Sequence, residues 1–257
     1  MQPAPAGELP RWRARMYTLP SRQVWDTALA TFKQLGIGVK EVDRDAQAAF
    51  TSMTDLDRRM MPVPDMPSPY LPRSVQFHVF VSPFVEPARV YIGSVVKADN
   101  RLEPHLSGFV YGVRALEDWL FARLEARLGQ TGHAMPDSAI ARAALARSLG
   151  GPPPVDGCGT DPPPHGPITE PLPIKITRVQ PIYPGKEGYV PAAVTVMATL
   201  LEDGAIVEAR PLANSGPTVQ YAQSAVEAVR LWRYRPTRLG ECPIQTVMTV
   251  QVNFHPR

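Results

Sequence analysis

Asp203–Pro236 reads DGAIVEARPLANSGPTVQYAQSAVEAVRLWRYRP, and the order of its residue types sets the reading of the C-terminal third. Asp203-Gly204 is a hairpin signal, because both residue types tolerate the positive φ of a tight turn. Before it, Val194, Val196, Ala198 and Leu200 alternate into a strand; after it, Ile206 to Pro211 returns as a second. Asn214-Ser215-Gly216 turns the chain, and Thr218 caps a helix with Ala222, Ala225, Val226, Val229 and Trp232 on its buried face. Tyr234-Arg235-Pro236 ends that helix. Ile244 to Phe254 forms a last strand with Ile244, Thr246, Met248, Val250, Val252 and Phe254 on one side. Arg230, Arg233, Arg235 and Arg238 interleave with Trp232 and Tyr234, the ingredients of a single-strand nucleic-acid stripe. Trp232 falls on the apolar helical face, however, so the favoured reading is a core aromatic flanked by solvated arginines, with no nucleic-acid partner.

The chain has 257 residues, enough for two modest domains with separate cores. Apolar residues make up 44% and charged residues 20%, as in soluble globular proteins, but 30 prolines are about twice ordinary usage and mark a linker. The formal charge of +3 comes from arginines spread along the chain, without the dense basic block of a nucleic-acid binder. No run has the length of a membrane span, and the start lacks the apolar core of a signal peptide, so membrane association is expected only through a segment absent from these residues. Cys158 and Cys242 have no metal-ligand spacing, so no zinc site is expected. Two readings stand for them: a Cys158–Cys242 disulfide, or two separate thiols.

In the N-terminal part, RWRARMYTL (11–19) alternates as a half-buried strand, with Arg11, Arg13, Arg15 and Tyr17 on a solvated face. Ser21 is positioned to cap a helix with Val24, Trp25, Ala28, Leu29, Phe32 and Leu35 on one face, stopped by Gly36. Ile37–Val42 and Ala48–Thr51 read as a strand pair, and the Pro/Met-rich 58–73 as an irregular excursion packing Met60, Met61 and Met66. Val75, Phe77, Val79 and Val81 alternate with Gln76, His78 and Phe80, and Val90–Val96 follows, giving two more strands. His78 has no nucleophile or carboxylate at a readable spacing and is taken as an ordinary residue of the polar face. A second helix, Val113–Leu128, carries Leu116, Trp119, Leu120, Leu124 and Leu128, with Glu117 and Asp118 early and Arg123 and Arg127 late, before Gly129. Pro136-Asp137 opens a short helix to Leu149, and Gly150–Pro173 is the proline-rich linker, in which Cys158 and His165 are too sparse for a metal site. No catalytic constellation emerges, and neither a catalytic residue nor a cofactor is expected.

The last 85 or so residues resemble the C-terminal domain of TonB-type energy transducers. The resemblance rests on Tyr183-Pro184, the alternating valines before Asp203-Gly204, Asn214-Ser215-Gly216, Ala225–Trp232 running into Arg233-Tyr234-Arg235-Pro236, Gly240, and Asn253-Phe254 in the closing strand. The strand–helix–strand order from 11 to 128, with VWDTALATFKQLGIGVKEVDRD after its first strand, is similar to helix-grip domains of BamC-type envelope lipoproteins. The expected fold class is therefore α+β in two domains. A helix-grip-like antiparallel sheet with two helices spans 1–130, a short helix and linker 131–173, and a β-α-β module 174–257.

The TonB resemblance implies an interaction module whose edge strand accepts an extended partner segment as an added strand. The candidate site is Thr246, Val247, Met248, Thr249, Val250, Gln251, Val252 and Asn253. Its implied setting is the periplasm of a Gram-negative type envelope, with an outer-membrane receptor or envelope complex as protein partner, or a homodimer through the same edge. TonB transducers carry a membrane anchor where this chain has a folded region, so the binding module is implied more firmly than energy transduction. The alternative is a carrier or sensor with an apolar small molecule held between sheet and helix of the N-terminal domain.

Overall fold

In the computed structural model of the protein, the described residues are 13–56, 61–62, 70–100, 107–111, 113–135, 145, 148–149, 167–174, 181, 191–212 and 218–254. The expectations on Trp12, Arg11, Met60, Met66, the helix beginning at Pro136, Cys158, His165, Tyr183-Pro184 and Asn214-Ser215-Gly216 fall outside them. Among the described residues the architecture is mixed α+β, with three helices and antiparallel sheets.

Helix α1 (Ser21–Gln34) forms because Val24, Trp25, Ala28 and Phe32 recur at helical spacing and are all buried. Its N-cap position is Pro20, so Ser21 is the first helical residue and caps nothing; the Ser21 N–H instead donates to Glu86 Oε1 at 3.0 Å. At the other end, Gly36 (φ 63°) donates to the Lys33 carbonyl and Ile37 to the Phe32 carbonyl, the paired bonds of a Schellman stop. Helix α2 (Arg114–Leu128) ends in the same way at left-handed Gly129.

The strands of the large sheet are β1 (Arg13–Tyr17), β2 (Val39–Asp43), β3 (Ala48–Thr51), β4 (Thr54–Asp55), β5 (Tyr70–Val81), β6 (Ala88–Asn100), β7 (Ser107–Tyr111) and β8 (His133–Ala134). They join in the order β2-β3-β5-β6-β1-β8, with β4 added to β5 and β7 to β6. The expected strands at 75–81 and 90–96 are longer than read: β5 starts at Tyr70, inside the expected irregular stretch. Pro72 is tolerated there because at this end β5 is paired through β6 alone among the described residues, and the register shifts between Pro72 and Ser74.

Register divides the residues of this sheet cleanly. Val75, Phe77, Val79 and Val81 of β5 and Val90, Ile92 and Val96 of β6 form one core with α1, α2 and Tyr17. Arg13 and Arg15 share the helix-facing side; Tyr17 is buried and Arg15 is mostly covered, which overturns the solvated reading for these two, while Arg13 keeps 42% of its side chain exposed. Arg13 pairs with Asp118 at 2.8 Å, and Arg15 pairs with Glu125 at 2.5 Å and lies 4.5 Å from the Phe121 ring centroid. The physical reason is that β1 is an interior strand between β6 and β8. Both its faces are covered, Met16 and Tyr17 alike being buried, so α2 has to bring acids to meet the arginines.

Glu117 stands in the first turn of α2, as its early position predicts. It is buried, and its Oε1 accepts from Ser94 N–H at 3.0 Å and Ser94 Oγ at 3.1 Å. Ser94 lies where β1, paired with β6 through Ile92, gives way to β7, paired from Val95. The carboxyl thus satisfies an amide that the ladder leaves open. Burial pushes the Glu117 acid up to about 7, against weaker downward pulls from the Ser94 bonds and Arg13. A raised acid binds its proton more tightly folded than unfolded. The stability it contributes is therefore complete below pH 4.5 and lost as pH rises through about 7, by roughly 3 kcal/mol. Chemical denaturation at pH 5 and pH 8 is expected to show this loss in the wild type and much less of it in Glu117→Gln, which keeps an acceptor oxygen without the titration.

The small sheet runs β12-β11-β16, from β11 (Ala192–Leu200), β12 (Ile206–Pro211) and β16 (Thr246–Phe254). Helix α3 (Val219–Leu231) covers it. Val194, Val196, Ala198 and Leu200 of β11 pack against Ala225, Val226, Val229 and Trp232, and Tyr221 meets Phe254 edge to face with centroids 4.9 Å apart. Thr218 holds the N-cap position without a side-chain capping bond. The expected single strand 244–254 is broken at Gln245 into β15 (Cys242–Ile244) and β16. Short pairings complete this region: β9 (Ile168–Thr169) with β14 (Thr237–Leu239), β14 with β15, and β10 (Leu172–Pro173) with β13 (Tyr234–Arg235). Paired backbone therefore continues past 130, through β8, and resumes before 174, through β9 and β10. Cys242 is disulfide-bonded; the one other cysteine in the sequence, Cys158, lies outside the described residues.

Candidate functional site

The predicted site residues Thr246 to Asn253 all fall in β16, which stands at one end of the small sheet's order. Its inner side pairs with β11 without interruption from Ala192↔Phe254 to Leu200↔Thr246. On its outer side no strand pairs with it among the described residues. Burial alternates along it. Val247, Thr249, Gln251 and Asn253 are exposed, Val247 to 60%, while Thr246, Met248 and Val250 are half-buried and Val252 is buried beneath α3 and its neighbours.

Edge strands usually carry a defence against pairing, such as charge, proline, a bulge or brevity. Most of the described edges follow this rule. β2 carries Lys40, Glu41 and Asp43 and a register shift; β12 carries Glu208, Arg210 and Pro211; β15 contains Pro243; β4, β8 and β9 are two residues long. β7 has five residues and includes Gly108. β16 has nine residues, TVMTVQVNF, with neither a charge nor a proline.

A second assembly of functional groups was not foreseen from the sequence. It lies on the face of the large sheet opposite α1 and α2, which His78, Phe80 and Tyr91 occupy by register. The sequence marks it as the more polar face, and the turn after β11 covers it. Asp203 is fully buried there: its Oδ1 accepts from Ala205 N–H at 3.0 Å, and its Oδ2 accepts from the Tyr91 hydroxyl and lies 3.2 Å from Arg89 Nη1. Arg89 also pairs with Glu202 at 2.7 Å, and Ser82 Oγ donates to the Asp203 carbonyl at 2.8 Å. Arg233, expected in solvent, is 1% exposed. Its guanidinium lies 5.2 Å from the Tyr91 ring centroid and 5.5 Å from that of Phe80, and donates to the carbonyls of Arg230 and Trp232. Trp232 is in the core, as read.

The electrostatics follow from burial. Desolvation alone lowers the Arg89 guanidinium, but Asp203 and Glu202 beside it carry it above its ordinary value. Arg233, with less compensation from Tyr91 and Asp203, is pulled down to about 10 by burial. His78, stacked on Phe50 with centroids 5.6 Å apart, is held down to about 3 by burial and then by Arg233, so it is neutral at any ordinary pH. Neutral His78 and the buried Arg89, Tyr91, Asp203 and Arg233 make their contacts within the chain. The arrangement binds one part of the chain to another.

The space between the large sheet and its two helices is filled by the core side chains. A depression of about 850 Å³ lies instead on the outer side of α1, lined by Arg22, Gln23, Asp26, Thr27 and Arg127. No group of three or more metal-ligating side chains occurs among the described residues, and no described helix is long and apolar enough to cross a membrane. No protein-family model and no curated protein matches the chain.

Proposed function

We propose that this chain is an envelope interaction protein of two domains. Its C-terminal TonB-like module takes up an extended partner segment along β16 by strand addition, and its helix-grip-like N-terminal domain is the platform that carries the module. The observation that carries this reading is the undefended edge: nine uncharged, proline-free residues at the end of a sheet, paired on one side only among the described residues. An added strand gains main-chain hydrogen bonds from that edge. Its alternate side chains lie beside half-buried Met248 and Val250 on one face and beside Val247, Thr249 and Gln251 on the other. The bonded state of Cys242 supports an oxidising setting such as the periplasm. Partners of the right kind are the extended ends of outer-membrane receptors, and the role that follows is tethering or energy transduction to them.

The test is amide NMR on the full chain titrated with such peptides. Shifts are expected to centre on Thr246–Asn253 and to weaken at least tenfold in Val247→Lys/Thr249→Lys, which charges the exposed face without touching the core. Shifts mapping elsewhere, or unaffected by the two lysines, would sink the strand-addition reading.

A further inference from the structure

We propose that Ser82, Arg89 and Tyr91 form a receptor for an acidic turn. In this chain Glu202–Gly204 fills it, and once that turn is released it is open to a turn of the same chemistry on a second polypeptide. This inference is independent of the β16 edge.

Three observations carry it. The first is that the receptor is preformed. Ser82, Arg89 and Tyr91 flank the β5–β6 connection, fixed by the register Val81↔Val90 and Phe80↔Tyr91 and by the Ser82 N–H bond to the Arg89 carbonyl at 2.9 Å. None of these contacts involves the turn, so the receptor outlasts its release. The second is that recognition is ionic and main-chain, and specific. One guanidinium reads both carboxylates, the Tyr91 hydroxyl reads the second, and Ser82 reads the Asp203 carbonyl. A turn lacking the aspartate leaves Arg89 with Glu202 alone and without its fully buried anionic partner.

The third is that the contact has few buried apolar side chains beside the two separate cores. The large sheet and the small sheet have their own cores. Among the described residues the cluster joining them has Phe80, Tyr91, Ile174 and three alanines buried, with Ala14, Phe84 and Met135 partly buried against them, and Arg89 Nε and His78 Nε2 are buried there without hydrogen-bond partners among the described residues. Interfaces made mostly of charge, with desolvated groups left imperfectly paired, are weak for their size and exchange occupants. The wild-type turn holds its place because it is on the same chain, at an effective concentration on the order of millimolar.

The test uses the full chain carrying Glu202→Gln and Asp203→Asn, with a fluorescent peptide copying residues 196–211 as probe. The variant is expected to bind the peptide at least tenfold more tightly than the wild type, whose own turn competes. Adding Arg89→Met to the variant is expected to abolish binding, as is the Asp203→Asn change in the peptide. Equal binding to wild type and variant, or binding indifferent to Arg89 or to the peptide's aspartate, overturns the proposal. Circular dichroism melts report whether the variant keeps its fold. Asp203→Asn alone, the milder change, takes its place if the cooperative melt is lost, with the same expected and overturning results.

Discussion

Gly204→Ala is expected to destabilise the protein by about 3 kcal/mol or more, in the uppermost range for one methyl group. Gly204 has φ +86°, where an L side chain is strained, and a Cβ built on it would stand 2.0 Å from the Tyr234 carbonyl oxygen. That oxygen belongs to backbone and cannot rotate away. The Tyr234 N–H donates to the Gly204 carbonyl at 2.9 Å, and Ala205 bridges Arg233 on the neighbouring residues, so turn and post-helical strand are bonded at the point of collision. Separating them breaks these bonds and uncovers Arg233. Gly129→Ala is the matched control. Its φ of +64° carries the left-handed penalty of about 1 kcal/mol, but a Cβ there meets nothing within 4 Å. Urea unfolding of the two variants is expected to separate them by at least about 2 kcal/mol, and equal losses would remove the close approach from the explanation.

The same glycine shows what the sequence makes legible. Asp203-Gly204 signals a turn through local backbone preference, and the strands on either side are found within two residues because their alternation matches a sheet with one covered face. Helix α2 is likewise found almost to the residue, since its apolar spacing and its glycine stop are local signals. β16 was readable as a strand for the same reason, and its freedom from charge is there in the sequence. What the turn touches was not readable. Arg89 and Tyr91 lie more than a hundred positions from Asp203, and a covered sheet face bearing His78, Arg89 and Tyr91 has the same residue pattern as a solvated one. Arginines in particular give no sign of burial: Arg15 meets an acid of α2 and Arg233 lies over the Phe80 and Tyr91 rings, while the general expectation for both is solvent. Glu117 is the counterpart among acids, placed in the first helical turn as a dipole argument predicts yet buried against an amide that no reading of the helix alone reveals.

Removing the carboxylate at the centre of that covered face is expected to have the second large effect. Asp203→Ala leaves Arg89 with Glu202 alone and takes from buried Arg233 one of the two groups that raise it. Stranding buried charge in this way costs about 3–5 kcal/mol if the contact stays closed. A junction whose buried apolar part is three large side chains and three alanines, with Ala14, Phe84 and Met135 partly buried against them, is expected to give way to a penalty of that size, so that the contact opens and the guanidiniums regain water. The expected result is specific. Hydrogen exchange at the Ile174 amide, bonded to the Arg233 carbonyl, should quicken at least a hundredfold, while amides of β11 and of central β5 and β6 keep their protection. Arg89→Met/Asp203→Ala removes the principal ion pair and replaces the guanidinium stem with apolar volume, and it is expected to recover much of the lost protection. If Asp203→Ala instead lowers protection uniformly through both sheets, the buried ion pair is part of a single cooperative fold and the junction is not a separable contact.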